Sequence, residues 1–128
     1  MKKFILILLA MLGMTSCSNA QNQGFDNMNV ANFASYIKND DVQLLDVRTP
    51  EEFNESHISG AKNIDWYNEN FITEAVDSLD KSKPVAIYCR SGKRSSAAAE
   101  KLAEKGYKIT NLLGGILAWD EAKMPIEK

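Results

Sequence analysis

The sequence predicts a single α/β domain built around a parallel-rich sheet, and three observations point to it. Short apolar runs, Val42-Gln43-Leu44-Leu45-Asp46-Val47 and Val85-Ala86-Ile87-Tyr88, have the length and bounding turn signals of buried strands. Helical patterns lie between the strand candidates, and such alternation favours parallel pairing through crossover connections. A cysteine, Cys89, directly follows the clearest strand, and open α/β sheets gather their sites at the carboxyl ends of strands.

The elements follow in order. Asn29 is placed to cap a helix running to about Asn39, with Val30, Phe33, Ala34 and Ile37 on one face. After the Val42 strand, Thr49-Pro50-Glu51-Glu52 reads as a helix start, with Thr49 as cap and Pro50 at the first helical position. Gly60 breaks the chain, and Lys62 to Asp65 reads as a short strand. A helix is expected over Tyr67 to Leu79, then a loop at Lys81-Ser82-Lys83-Pro84. Ser95 to Lys105 is a strong helix, with three consecutive alanines, Leu102 and Ala103, stopped by Gly106. Tyr107 to Leu113 contains another strand. Gly114-Gly115 turns into a last helix, Ile116 to Ala122, which ends near Pro125.

The N-terminus reads as a removable segment. Lys2 and Lys3 precede an apolar run, Phe4 to Leu12, that is too short to span a bilayer. This is a secretory signal, expected over residues 1–16. Met14-Thr15-Ser16-Cys17 resembles a bacterial lipoprotein box in which Cys17 becomes the lipidated first residue; cleavage after Ser18-Asn19-Ala20 is the rival. The expectation is an exported, periplasmic or cell-envelope protein held to a membrane through lipid on Cys17. Residues 17–28, polar and rich in Gln and Asn, read as a flexible tether, and residues 29–128 as the folded domain.

Composition removes several classes of function. Starting at Cys17 leaves 112 of the 128 residues, enough for one core and too few for two. Without Lys2 and Lys3, 13 of the 15 basic residues remain against 17 acidic ones, and no basic stripe suggests nucleic acid. One histidine and two cysteines cannot assemble a cysteine/histidine metal site. With Cys17 carrying lipid, Cys89 is left as a free thiol in a compartment where disulfides persist, and reactivity is the leading reason to keep one.

The segment Cys89-Arg90-Ser91-Gly92-Lys93-Arg94-Ser95 carries most of the chemistry. It places a thiol at a strand end, inside a basic loop and beneath a helix N-terminus. Cationic neighbours and the positive end of the helix dipole both favour the thiolate, the reactive form. Ser91 and Gly92 permit a turn whose backbone N–H groups point inward as an anion nest. Loop length separates two chemistries. Cysteine phosphatases and arsenate reductases need a ring wide enough for an oxyanion, with Cys and Arg separated by five residues. Here only Arg90, Ser91, Gly92 and Lys93 separate Cys89 from Arg94, and the smaller ring suits a sulfur atom.

With these residues in place the chain resembles the rhodanese family of single-domain sulfurtransferases. Four segments from about Val30 to Met124 carry the resemblance: Leu45-Asp46-Val47-Arg48-Thr49-Pro50-Glu51-Glu52-Phe53; His57-Ile58-Ser59-Gly60-Ala61-Lys62-Asn63-Ile64; the Cys89 loop; and Leu113-Gly114-Gly115-Ile116 with Trp119. The resemblance implies a central, mostly parallel five-stranded sheet flanked by helices on both faces. It also implies a persulfide mechanism needing no metal or organic cofactor. Cys89 would be the nucleophile and sulfur carrier, and the N–H groups of Arg90, Ser91, Gly92, Lys93, Arg94 and Ser95 would cradle the persulfide. Arg90 and Arg94 are the leading candidates to bind an anionic donor, and Lys93 a weaker one. The implied partners are a small anionic sulfur donor such as thiosulfate and a thiophilic acceptor, cyanide or a thiol. Family members that use mercaptopyruvate tend to have an uncharged loop, so three cations favour a dianion. The alternative is a carrier or binding module that never turns over thiosulfate.

Other conspicuous residues have plainer readings. His57, the single histidine, belongs to a structural turn in the resembled motif. Asp46 and Arg48 are expected to be supporting, Asp46 bonding loop amides and Arg48 pairing with Glu51 or Glu52. Trp119, Trp66, Tyr67 and Phe71 are core or pocket-rim groups. Gly114-Gly115 is a turn before a helix, with no longer glycine pattern to suggest phosphate binding.

Overall fold

The computed structural model describes residues 24–128. The expected signal segment, the expected lipidation at Cys17 and most of the expected tether lie outside the described residues. Within them, no helix is long and apolar enough to cross a membrane.

Among the described residues ten elements alternate: β1 (Asp26–Met28), α1 (Val30–Tyr36), β2 (Gln43–Asp46), α2 (Pro50–Glu55), β3 (Lys62–Asn63), α3 (Phe71–Ser78), β4 (Val85–Tyr88), α4 (Lys93–Glu104), β5 (Ile109–Leu112) and α5 (Gly115–Glu121). The five strands form one sheet in the order β1-β5-β4-β2-β3, and every pairing within it is parallel. β4 lies at the centre. Its register with β2 runs from Val85 against Gln43 to Tyr88 against Asp46.

Both faces of the sheet are covered, which explains why the strands read as continuous apolar runs rather than alternating ones. The pleat sends neighbouring side chains to opposite sides. Leu45, Ile87 and Ile109 pack on one face against Phe71 and Ala75 of α3 and Ala98, Ala99 and Leu102 of α4. Leu44, Ala86, Tyr88 and Leu112 pack on the other against Phe33 of α1 and Ile116 and Trp119 of α5. Trp119 also donates its indole N–H to the Pro125 carbonyl at 2.8 Å, so its polar edge is satisfied as the ring is buried.

Helix starts follow local chemistry. The Asn29 side chain accepts from the Asn32 N–H at 2.9 Å and caps α1. Thr49 and Glu52 form a reciprocal capping box at the start of α2, with Pro50 in the first turn.

Two boundaries differ from the sequence reading. The residues assigned to the tether include β1, which pairs with β5 from Asp26 against Thr110 to Met28 against Leu112. Asp26 and Asn27 are exposed, and an edge strand pairs through its backbone without an apolar face of its own; Phe25 beside it is buried. The domain thus begins before Asn29. The helix expected from Tyr67 starts only at Phe71. Asp65 accepts from the Tyr67 N–H at 2.9 Å and Asn68 from the Asn70 N–H at 2.8 Å. These local bonds hold the backbone in turns and out of a helix. α4, conversely, starts at Lys93, two residues before the expected Ser95.

Candidate active site

The site is the connection from β4 to α4. Cys89 ends the central strand and is 1% exposed, so its thiol lies at the floor of the loop. Gly92 then takes φ +109°, a left-handed value that L side chains rarely adopt, and serves as N-cap of α4. It has no side chain to cap the helix. Its own N–H donates to Cys89 Sγ at 3.0 Å. Among the described residues, no backbone acceptor meets the N–H groups of Arg90, Ser91, Lys93, Arg94 or Ser95. The twelve-residue α4 therefore presents its first amides uncapped, beside the thiol.

A second helix turns the loop's carbonyls away from the sulfur. At the start of α5, Ile116 N–H donates to the Cys89 carbonyl at 2.9 Å and Leu117 N–H to the Arg90 carbonyl at 3.1 Å. With those oxygens held against α5, the loop amides are left for an anion. Gly115 makes this possible: a Cβ there would overlap the Arg90 carbonyl. The Gly114-Gly115 pair is thus a turn that clasps the cysteine loop.

The cations of the loop divide into two kinds. Arg90 and Lys93 are exposed. Arg94 is spent on Glu52: its two terminal nitrogens donate to the two carboxylate oxygens at 2.8 and 2.9 Å. The Tyr67 ring, itself exposed, lies over the guanidinium with 5.3 Å to its centroid. The bond to Glu52 and the Glu52 charge raise the Arg94 pKa against the opposing effect of burial. The same bond, with help from Thr49, pulls the Glu52 carboxyl down to about 2. Ser95 is buried and donates its hydroxyl to the Gly92 carbonyl at 3.2 Å, bracing the first turn of α4.

Asp46 and Arg48 form a separate support beneath the strands. Arg48 donates to Asp46 through Nε and Nη2, the shorter contact being 2.6 Å, and its backbone N–H adds a bond at 2.9 Å. Both side chains are buried, and Arg48 Nη2 also reaches the Ser56 carbonyl at 2.7 Å. Burial opposes the Arg48 charge, but Asp46 outweighs it and the pKa is raised. Arg48 therefore pairs with Asp46, where the sequence suggested Glu51 or Glu52: Asp46, two residues before it, offers a buried bidentate partner, while Glu52 faces α4. Asp46 bonds the N–H of Arg48 and none in the Cys89 loop. Asn63 spans the β2 and β3 ends, donating to the Asp46 and Arg48 carbonyls at 3.0 and 2.9 Å.

His57 stands apart. It stacks on Phe53 with centroids 3.8 Å apart, bonds the Phe53 carbonyl through Nδ1 at 2.9 Å, and lies 3.4 Å from a Glu127 oxygen through Nε2. Its backbone forms an antiparallel bridge to Glu127. These contacts make it a clamp on the C-terminus. Trp66 packs edge-on against Phe71 at 5.1 Å, on the core side rather than in the loop. A recess of about 230 Å³ bordered by Ala34, Ile37, Ile58, Trp119 and Met124 contains no residue of the cysteine loop. Sequence reasoning missed Glu52 as part of the site. Its capping signature was readable, but the partner 42 residues away was not.

Comparison with known proteins agrees with this architecture. Residues 29–122 match the family described as Rhodanese-like domain. A sulfurtransferase of Allochromatium vinosum is 39% identical over 88 residues, covering 68% of this chain and 79% of that protein. The thiosulfate sulfurtransferase GlpE of Shewanella oneidensis is 33% identical over 99 residues, covering 77% of this chain and 95% of the relative. The crystal structure of a rhodanese-related protein from Thermoplasma volcanium superposes with a TM-score of 0.71 at 32% identity, covering 80% of this chain and 98% of that one. The parallel sheet, the cysteine at the end of its central strand and these relatives together make the chain a member of the rhodanese-like domain family.

Proposed function

We propose that this protein is a sulfurtransferase that carries sulfane sulfur on Cys89, accepting it from thiosulfate or a similar anionic donor. The observation that carries the reading is Cys89 Sγ at the end of β4, receiving the Gly92 N–H at 3.0 Å beneath the uncapped start of α4. The names of relatives at 33–39% identity add support. In the first step the Cys89 thiolate attacks the outer sulfur of thiosulfate. The bond between the two donor sulfurs breaks, its electron pair leaves with sulfite, and a Cys89 persulfide anion forms. Attack by cyanide or a thiolate on the outer persulfide sulfur then restores the Cys89 thiolate. This is two-step covalent catalysis with ping-pong kinetics. The loop amides offer hydrogen bonds to the persulfide sulfur, and exposed Arg90 and Lys93 are available to the incoming anion.

The test is direct. After incubation with thiosulfate, the intact mass should rise by one sulfur atom; cyanide should remove it with release of thiocyanate, and Cys89→Ser should take up none. Uptake without turnover would favour a carrier, and no uptake from thiosulfate or polysulfide would overturn the sulfur reading.

Export and attachment of lipid to Cys17 form a second part of the proposal, supported by the basic and apolar order of residues 1–16. Lipid labelling of the wild type, absent in Cys17→Ser, would bear it out; an unlabelled wild type would remove it.

A further inference from the structure

We infer that Glu52 is a positioning residue for the Cys89 site: by neutralising Arg94 it limits the positive charge acting on the thiolate and persulfide, so that sulfur is both taken up and released. The inference rests on the sulfur-transfer reading for the uptake and release steps, and on the loop's geometry for the charge acting on the thiolate.

The capping box at α2 does not by itself call for a carboxylate. The third helical position of such a box accepts Glu or Gln equally, because either side chain offers an oxygen to the cap N–H. Here that bond runs from the Thr49 N–H to Glu52 Oε1 at 3.1 Å. What a carboxylate adds is the second charged oxygen, and both oxygens are engaged by Arg94. The interaction joins the first turn of α2 to the first turn of α4, across 42 residues of chain. Arg94 stands in the first turn of α4, which directly follows Gly92, whose N–H donates to Cys89 Sγ at 3.0 Å.

The chemical need for such a balance follows from the two steps. Positive charge favours the thiolate and the anionic donor. Yet nucleophilicity falls as a thiol becomes more acidic, and an over-stabilised persulfide is slow to discharge. Arg90 and Lys93, exposed on the same loop, are already available to supply charge to the donor. A third uncompensated cation, fixed in the first turn of α4, would hold the product of the first step. Glu52 removes it.

The experiment uses the full chain and three variants: Glu52→Gln, Arg94→Gln and the double variant. Three quantities are read: the rate of Cys89 alkylation by neutral iodoacetamide at pH 6, the KM for thiosulfate, and the rate at which a preformed persulfide passes sulfur to cyanide. Glu52→Gln should speed alkylation roughly 3- to 10-fold, because that rate reports the thiolate fraction. It should also lower the thiosulfate KM and slow discharge, each by about 3-fold. Arg94→Gln should move all three the other way. The double variant should return alkylation to within about 2-fold of wild type, since the charge balance is restored. Gln at position 52 keeps the capping oxygen, so the fold should survive. Wild-type alkylation and discharge in Glu52→Gln would overturn the inference. So would a joint fall in alkylation, donor affinity and discharge without rescue in the double variant, the pattern of a merely loosened loop. Alkylation changes of the expected sign in a protein that takes up no sulfur would instead overturn the proposed function and leave the charge role of Glu52 standing.

Discussion

Gly115 and Arg90 meet backbone to backbone. The α-carbon of Gly115 lies so close to the Arg90 carbonyl that a Cβ would overlap it, and φ at Gly115 is +62°. The following amides, of Ile116 and Leu117, hold the Cys89 and Arg90 carbonyls. The cysteine loop is therefore shaped by a helix whose contribution to the site is entirely main-chain.

Gly115→Ala should accordingly damage the site without touching its chemistry-bearing side chains. A left-handed backbone and a collision with main chain together should cost about 2–4 kcal/mol. Denaturant unfolding reads that loss, and persulfide loading at a temperature where the variant remains folded should fall as well. Full loading at wild-type stability would show that the clasp is dispensable.

Asp46→Asn should be among the most destabilising isosteric changes in the chain. It keeps one acceptor oxygen but removes the carboxylate charge that faces the buried Arg48, whose other partners are the Ser56 carbonyl and the Tyr88 ring. Breaking a buried pair from one side typically costs about 3–5 kcal/mol. A double-mutant cycle with Arg48→Met should recover much of it, because the stranded charge is then gone.

Tyr88→Phe separates neighbourhood in sequence from neighbourhood in space. Tyr88 precedes Cys89, yet its side chain packs on the opposite face of the sheet, where its hydroxyl accepts the buried Ile58 N–H at 3.0 Å. Losing that oxygen strands the N–H at a cost of about 1–3 kcal/mol. Sulfur uptake by the folded variant should match wild type, as read by intact mass.

The Glu52–Arg94 pair predicts an acid dependence. Glu52 titrates at about 2 in the fold against an ordinary 4.5, chiefly because Arg94 bonds it. A carboxyl lowered in the folded state binds protons more readily when unfolded. Its stabilisation is therefore complete above about pH 5 and lost as the pH falls towards 2. The pair is partly exposed, so the effect is modest. The gap in Tm between wild type and Glu52→Gln should be widest near pH 6 and narrow steadily below pH 5 as the pH falls towards 2; a constant gap would refute it.

What the sequence disclosed and what it hid divide along range. β4, α4 and the capped start of α2 were legible because each is signalled by residues within a few positions: an apolar run, three alanines, Thr49-Pro50. The setting of Cys89 was legible for the same reason, since strand, thiol, glycine turn and helix are consecutive. Asp46 was expected to bond loop amides and instead takes Arg48, a choice settled by burial, which no local pattern records. Arg94 looked free because its partner arrives from α2. β1 escaped notice because Asp26 and Asn27 carry no strand signal; the bare edge of β5 recruits them.

That small edge strand has an orientational consequence. β1 is parallel to its neighbours, so residue 26 enters at the end of the sheet where every strand starts, and Gly24 lies against Ala103, near the finish of α4. Cys89 sits at the other end, where the strands finish and α4 begins. The described chain therefore enters the fold at the pole of the sheet opposite the thiol.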